Sequence, residues 1–198
     1  MDFLRDAFDE SVHENDELMS TINKIYLSAN DYLRDSWKLA RQIMDSGWQP
    51  DYILALWRGG APVGIAVHEF FYYHGFRPRH QIIKCHSYTG IQSRDHEVRF
   101  EHADEIFNSM TKGMRLLVVD DVFDTGITAR AVTERIAACE VDMRFATVYW
   151  KPGQNKTTLK PDFYVSQTES WIVFPHEMDG LTRDEIKIKD PALYALLK

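Results

Sequence analysis

Between Leu116 and Thr128 the chain reads LLVVDDVFDTGIT, an apolar run that ends in two adjacent carboxylates, Asp120 and Asp121. The apolar residues suit a buried strand, and in an open α/β sheet ligands bind beyond the carboxyl ends of the strands. Two acids in that position accept hydrogen bonds from sugar hydroxyls or help hold a hard cation such as Mg2+. Asp124, Thr125, Gly126, Ile127 and Thr128 follow, directly before a helix-forming stretch. Such a loop offers backbone N–H groups, two hydroxyls and a helix N-terminus, which together suit a phosphate. Gly126 admits a positive φ or a close backbone approach. A plain strand–turn–helix junction with an acidic N-cap accounts for Asp124 taken alone. It does not account for the paired acids, the Asp-Thr-Gly and the second threonine together.

Three further groups have chemistry of their own. Trp57-Arg58-Gly59-Gly60, with Pro62 and Gly64 behind it, closes an apolar run with a small-residue turn and a cation. Standing alone it reads as a Gly-Gly turn after a strand. Ser87-Tyr88 opens a polar stretch that runs to about Phe107, and by itself it is ordinary strand chemistry. Lys151-Pro152-Gly153 follows a strand, and Trp171-Ile172 lies further on with Pro175 after it. Lysine only donates hydrogen bonds, so it distinguishes an oxo group from an amino group, and an indole face suits a flat heterocycle. A solvated lysine at a turn and a core tryptophan are the plain alternatives.

These residues need a scaffold, and the periodicities supply one. Leu33, Trp37, Ala40 and Met44 recur at helical steps and predict a helix with that stripe in the core, capped by Asn30 or Ser28 and closed near Gly47. Tyr52–Trp57 reads as a buried strand, Pro62–Tyr73 as a helix opened by proline, and His80–Tyr88 as a strand with one wetter face. Thr89–Phe107 has no clear period and reads as a mobile loop. Met114–Val119, Thr128–Ala138 and Phe145–Trp150 read as strand, helix and strand. That alternation predicts an α/β fold with a mainly parallel twisted sheet flanked by helices. Beyond Lys151 the pattern breaks into short extended pieces and an amphipathic tail from Leu181.

Composition bounds the rest. The chain has 198 residues, 44% of them hydrophobic and 27% charged, as in an ordinary globular domain. Its formal charge of -7 makes nucleic acid and anionic membrane poor partners. Two cysteines exclude a disulfide scaffold and a cysteine-built zinc site, and free thiols fit a reducing cytoplasm. Residues 2–17 hold seven acids and one arginine, so 1–20 is expected to be a solvated acidic extension without a secretory signal. The most apolar run, Ala61–Tyr73, carries His68 and Glu69 and is too short and polar to span a bilayer. Neither a G-x-G-x-x-G, a G-K-[ST] nor an H-E-x-x-H occurs, which removes dinucleotide, P-loop and zincin chemistry.

The run Val118–Thr128 resembles the phosphoribosyl pyrophosphate (PRPP) signature of the type I phosphoribosyltransferases at every position. The resemblance covers roughly Asp31–Pro175 and is strongest to the 6-oxopurine enzymes of the bacterial xanthine-guanine type. It implies a single catalytic domain over 21–198, with a small hood built from the N-terminal part and residues 151–198. Asp120 and Asp121 would then grip the ribose hydroxyls with or through Mg2+, and Asp124, Thr125, Gly126, Ile127 and Thr128 would hold the 5′-phosphate. Arg58, Gly59 and Gly60 would form the pyrophosphate loop, with a non-proline cis peptide at Trp57–Arg58. The family's relatives have a small residue where Trp57 stands. Ser87 and Tyr88 would begin the flexible loop that closes over the reacting sugar and excludes water.

The same resemblance assigns the base. Lys151 would donate to the purine O6, Trp171 would stack on the ring, and the Ile172 carbonyl would accept from the base edge. Relatives that use adenine, orotate or uracil generally lack a carboxylate at the position of Asp124, whereas the 6-oxopurine enzymes keep it. Asp124 would act as general base toward N7. The implied reaction converts hypoxanthine, guanine or xanthine and PRPP to the nucleoside 5′-monophosphate and pyrophosphate, a step of purine salvage. The implied protein is a cytoplasmic homodimer or homotetramer that meets only small molecules. A PRPP-binding regulator without significant catalysis is the alternative. Against it stand the retained Asp124 and the lack of room for a DNA-binding domain before the helix near Asn30.

Overall fold

The structure, a computed structural model, describes residues 24–88, 97–101 and 103–197. Along the chain it forms β1 (Lys24–Tyr26), α1 (Ala29–Asp45), β2 (Tyr52–Trp57), α2 (Gly60–Tyr73), β3 (Arg79–Tyr88), β4 (Glu97–Glu101) and α3 (Asp104–Asn108). There follow β5 (Arg115–Phe123), α4 (Ile127–Ile136), β6 (Asp142–Trp150), β7 (Phe163–Gln167), β8 (Trp171–Val173), α5 (Arg183–Lys189) and α6 (Pro191–Leu196). The described residues fall into two units, one within 30–169 and a smaller one made of 24–29 and 170–197.

The larger unit is built on a six-stranded sheet in the order β4-β3-β2-β5-β6-β7. All its pairings are parallel except the β3–β4 hairpin at one edge. Leu116, Leu117, Val118 and Val119 are each 0% exposed, so both faces of β5 are covered, as a continuous apolar run in a parallel strand requires. On one face Leu54, Leu56, Leu116, Val118 and Phe145 pack with Val132 and Ile136 of α4 and with Phe107 of α3. On the other, α2 lies so close that a Cβ on Gly64 would stand 2.6 Å from the Ala55 methyl. The α/β architecture expected from the alternation is the one found.

Four local expectations are corrected. In α1 the buried residues are Tyr32, Ser36, Leu39, Ala40 and Ile43, while Leu33 and Trp37 are about two-fifths exposed. The helical period was right and its phase was not. Tyr32 and Ser36 enter the buried stripe because their hydroxyls find backbone acceptors, at Gly59 and at Tyr32. The stretch read as a mobile loop to Phe107 contains β4 and α3. Phe107 is buried there and Phe100 stacks edge-on against it, with ring centroids 5.4 Å apart; residues 89–96 lie outside the described ones. Helix α2 begins at Gly60, two residues before Pro62. Finally, residues 151–169 were expected with the hood, yet they belong to the larger unit, where β7 adds itself to β6 at the sheet edge.

In the smaller unit β1 pairs in parallel with β8, Ile25 opposite Ile172. Its helix α5 starts with a reciprocal capping box between Thr182 and Glu185. The Glu185 carboxylate also takes an ion pair from Lys24. Helix α6 is capped by Asp190, which accepts from the Ala192 and Leu193 N–H groups.

Candidate active site

Strands β2, β5 and β6 all run parallel, so their carboxyl ends open at one edge of the larger unit. Strand β5 continues past its apolar stretch through Asp120 and Asp121 to Phe123. Both acids fold back on the backbone. The Asp120 carboxylate accepts the Asp121 N–H at 3.0 Å, and Asp121 Oδ1 accepts the Val122 N–H at 2.8 Å. Burial and the neighbouring Asp121 charge push the Asp120 carboxyl well above the usual carboxylate range. Two acids held this way favour a cation or a ring of hydroxyl donors beside them.

The Arg58–Gly60 turn sits directly on this pair. A Cβ on Gly59 would lie 1.9 Å from Asp121 Oδ2, and one on Gly60 would lie 2.3 Å from the Val119 carbonyl oxygen. Only glycine allows the approach at either position. The Trp57–Arg58 peptide is cis, at the bond that the resemblance marked. The Arg58 side chain is exposed beyond the turn. Cys85 of β3 donates its thiol toward the Trp57 carbonyl at 3.8 Å, and burial together with Asp120 pushes that thiol up to about 12.

Asp124–Thr128 leads from β5 into α4. Gly126 has φ +75°, and its missing side chain leaves room for Thr157 Oγ1 and Asn155 Oδ1, which would meet a Cβ at 2.4 and 2.7 Å. The Lys156 N–H donates to the Thr125 carbonyl at 2.9 Å, and Thr125 Oγ1 accepts the Ile127 N–H at 3.4 Å. A cavity of about 70 Å³ is lined here by Asp120, Asp124, Thr125, Gly126 and Thr128. The first turn of α4 lies beside it, so amides and hydroxyls converge on one anion-sized space. A cavity of about 250 Å³ opens near Pro50, Arg77 and Arg115, at the amino ends of β2 and β5. There Arg115 is already paired with Asp51 at 2.6 Å.

Asp124 and Lys151 are 27 residues apart in sequence, and the sheet brings them together. Phe123 and Trp150 are register partners, and the Lys151 N–H donates to the Phe123 carbonyl at 2.9 Å. Lys151 is only 8% exposed, and its Nζ stands 3.9 Å from Asp124 Oδ2. Asp124 Oδ1 is buried without a hydrogen-bond partner among the described residues. Such an acceptor costs free energy unless a ligand N–H or a solvent molecule meets it. The turn after Lys151 is braced by Glu169, whose Oε1 accepts the Gly153 N–H at 3.0 Å.

The other residues singled out in the sequence are placed as follows. Ser87 and Tyr88 are the last two residues of β3, paired in backbone register with Val98 and Glu97. Trp171 and Ile172 belong to the smaller unit, Trp171 half-exposed and Ile172 buried in β8. Sequence reasoning missed Tyr32, Asn155, Thr157 and Glu169, which support the three loops from outside. A polar Asn-x-Thr after the Lys-Pro-Gly turn was a signal for a side-chain-built turn; nothing local marked Tyr32 or Glu169.

Residues 23–181 match the model of the phosphoribosyl transferase domain. The xanthine-guanine phosphoribosyltransferase of Gluconobacter oxydans is 30% identical over 145 residues, which covers 72% of this chain and 77% of that protein. The enzyme of the same name from Desulfotalea psychrophila is 29% identical over 150 residues, covering 74% and 82%. Among solved structures, the purine phosphoribosyltransferase of Pyrococcus horikoshii superposes with a TM-score of 0.65 at 27% identity, over 81% of this chain and 98% of that one. With this fold, the acid pair at the end of β5 and the matched 159 residues (181 − 22), the chain belongs to the phosphoribosyl transferase family, in which its relatives are purine phosphoribosyltransferases.

Proposed function

We propose that the protein transfers the phosphoribosyl group of PRPP to N9 of a 6-oxopurine (hypoxanthine, guanine or xanthine) and releases pyrophosphate, as a purine-salvage enzyme of the cytoplasm. The observation that carries this reading is the Asp124–Lys151 pair. One buried oxygen of Asp124 has no hydrogen-bond partner among the described residues, and the other lies 3.9 Å from the Nζ of the buried Lys151. A 6-oxopurine offers the complement, an N7–H beside the O6 acceptor, whereas the amino group of adenine would face the lysine donor-to-donor.

In this reading the 5′-phosphate occupies the loop Asp124–Thr128 at the start of α4. Anchoring that remote group fixes the anomeric carbon where N9 can reach it. Asp120 and Asp121 hold the ribose hydroxyls. Among the described residues no cluster of three or more metal-ligating side chains exists. Asp120 and Asp121 are the residues that would hold a Mg2+ beside the ribose hydroxyls. Mg2+ bound there supplies charge neutralisation of the leaving pyrophosphate. The Arg58–Gly60 turn offers that group its guanidinium and amides. As the C1′–O bond breaks, positive charge develops on the ribose, similar in kind to glycoside chemistry. N9 then forms the new bond while Asp124 takes the proton from N7. Ser87 and Tyr88 are proposed as the start of the closing loop, Trp171 as a stacking face for the base, and the Ile172 carbonyl as an acceptor for its edge.

The test is an absorbance assay with Mg2+ and PRPP against hypoxanthine, guanine, xanthine and adenine in parallel. Turnover of a 6-oxopurine with adenine inert is the expected result. Silence on all four bases with PRPP still bound would overturn the enzymatic reading and leave a PRPP-binding regulator.

A further inference from the structure

We propose that Tyr32 is a positioning residue for the pyrophosphate loop, clamping the Gly59 carbonyl from α1 so that the Gly59–Gly60 peptide keeps one orientation. The inference rests on the function proposed above, because it concerns the same loop.

Tyr32 lies in the first turns of α1 and is 5% exposed. Its hydroxyl donates to the Gly59 carbonyl oxygen at 3.1 Å, across 27 residues of sequence. Gly60 forms the other half of the same peptide unit and packs on the end of β5, where a Cβ on it would stand 3.0 Å from the Asp120 Cα. In a planar trans peptide the C=O and N–H point in opposite directions. The peptide is therefore held between the phenol of α1 and the backbone at the end of β5. The loop cannot slide inward, since Gly60 already packs against the Val119 carbonyl too closely for any Cβ. The phenol opposes rotation the other way.

The orientation matters for an anion. With its carbonyl turned to Tyr32, the Gly59–Gly60 unit keeps its negative end away from an incoming pyrophosphate. Two glycines in succession have no Cβ to restrict this turn, and the phenol adds a second donor to the carbonyl that caps the start of α2. Helix α1 is itself anchored, through Asp35, which accepts from the Tyr149 hydroxyl of β6 at 3.0 Å. That second tie does not touch the loop, and it supplies the control.

The experiment compares wild type, Tyr32→Phe and Tyr149→Phe by calorimetric titration with magnesium pyrophosphate and by steady-state kinetics. Tyr32→Phe keeps the ring and removes only the hydroxyl. Its affinity for magnesium pyrophosphate is expected to fall about five- to tenfold, the scale of one lost hydrogen bond. KM for PRPP should rise with it while KM for the base stays within about twofold. Tyr149→Phe should leave pyrophosphate affinity unchanged. Equal weakening in both variants would mean general loosening of α1 and would overturn the inference. So would an unchanged Tyr32→Phe in a wild type that binds pyrophosphate, and in that case the proposed function would stand. A wild type that neither binds magnesium pyrophosphate nor turns over a purine would overturn both.

Discussion

At Asp124 two oxygens of one carboxylate have different surroundings: Oδ1 is buried with no hydrogen-bond partner among the described residues, and Oδ2 faces the Lys151 ammonium at 3.9 Å. Asparagine at this position keeps the shape and removes the proposed base. Asp124→Asn is therefore expected to bind PRPP within a few-fold of wild type while turnover falls by about 10²–10⁴, the usual weight of general-base catalysis; titration calorimetry and initial rates check the two halves separately. Lys151→Met keeps most of the buried stem and removes the donor. The ratio of 6-oxopurine to adenine turnover is expected to fall by about tenfold or more, and an unaltered ratio in the parallel base assay would sink the assignment of Lys151. At this scale the sequence was most legible where the site is contiguous. Asp120 to Thr128 could be read as a unit because strand end, glycine turn and helix start follow each other along the chain. Tyr32 and Glu169 could not be read, since their work is done across 27 and 16 residues on someone else's loop.

Among the elements, periodicity located the central strands and the helices between them but not β1, β4 or α3, and it misplaced a helix face where polar side chains are satisfied internally. The stripe of α1 is offset because Tyr32 and Ser36 are buried with acceptors, while Leu33 and Trp37 face outward. The segment 97–108 lacked a period because a five-residue strand and a five-residue helix are each too short to display one. In the smaller unit, Glu185 joins the cap of α5 to β1. Hydrogen bonding from Lys24, then from the Thr182 backbone, holds its carboxyl below the ordinary glutamate range. A carboxyl with a lowered native pKa stabilises the fold above its ordinary value, and that stability is lost as pH falls through the native one. Glu185→Gln is accordingly expected to unfold at a lower temperature than wild type near about pH 7, with the gap closing below about pH 4. Thermal unfolding followed by circular dichroism across that range measures it. A gap that persists in acid would assign the effect to packing rather than to the charge.

Over the whole molecule, the formal charge of -7 makes the chain a poor match for nucleic acid. No retention of a labelled DNA duplex at physiological salt is the expected outcome of a filter-binding or mobility-shift assay. The division of the chain was the least legible feature. Residues 151–169 read as fragments of a hood, yet β7 completes the large sheet, and the smaller unit starts only at Ser170. A short strand on a sheet edge carries little signal of its own, because its partner chooses it. By itself the sequence determined the α/β class, the acid pair, the Asp124–Thr128 turn and the two-glycine loop, since each depends on neighbours within a few residues. The tertiary structure alone decided that Asp124 meets Lys151, that Gly59 rests on Asp121, and that a phenol from α1 faces the Gly59 carbonyl. Those meetings are set by strand register and helix packing over long sequence separations, and no local pattern of residues encodes the distance between their atoms.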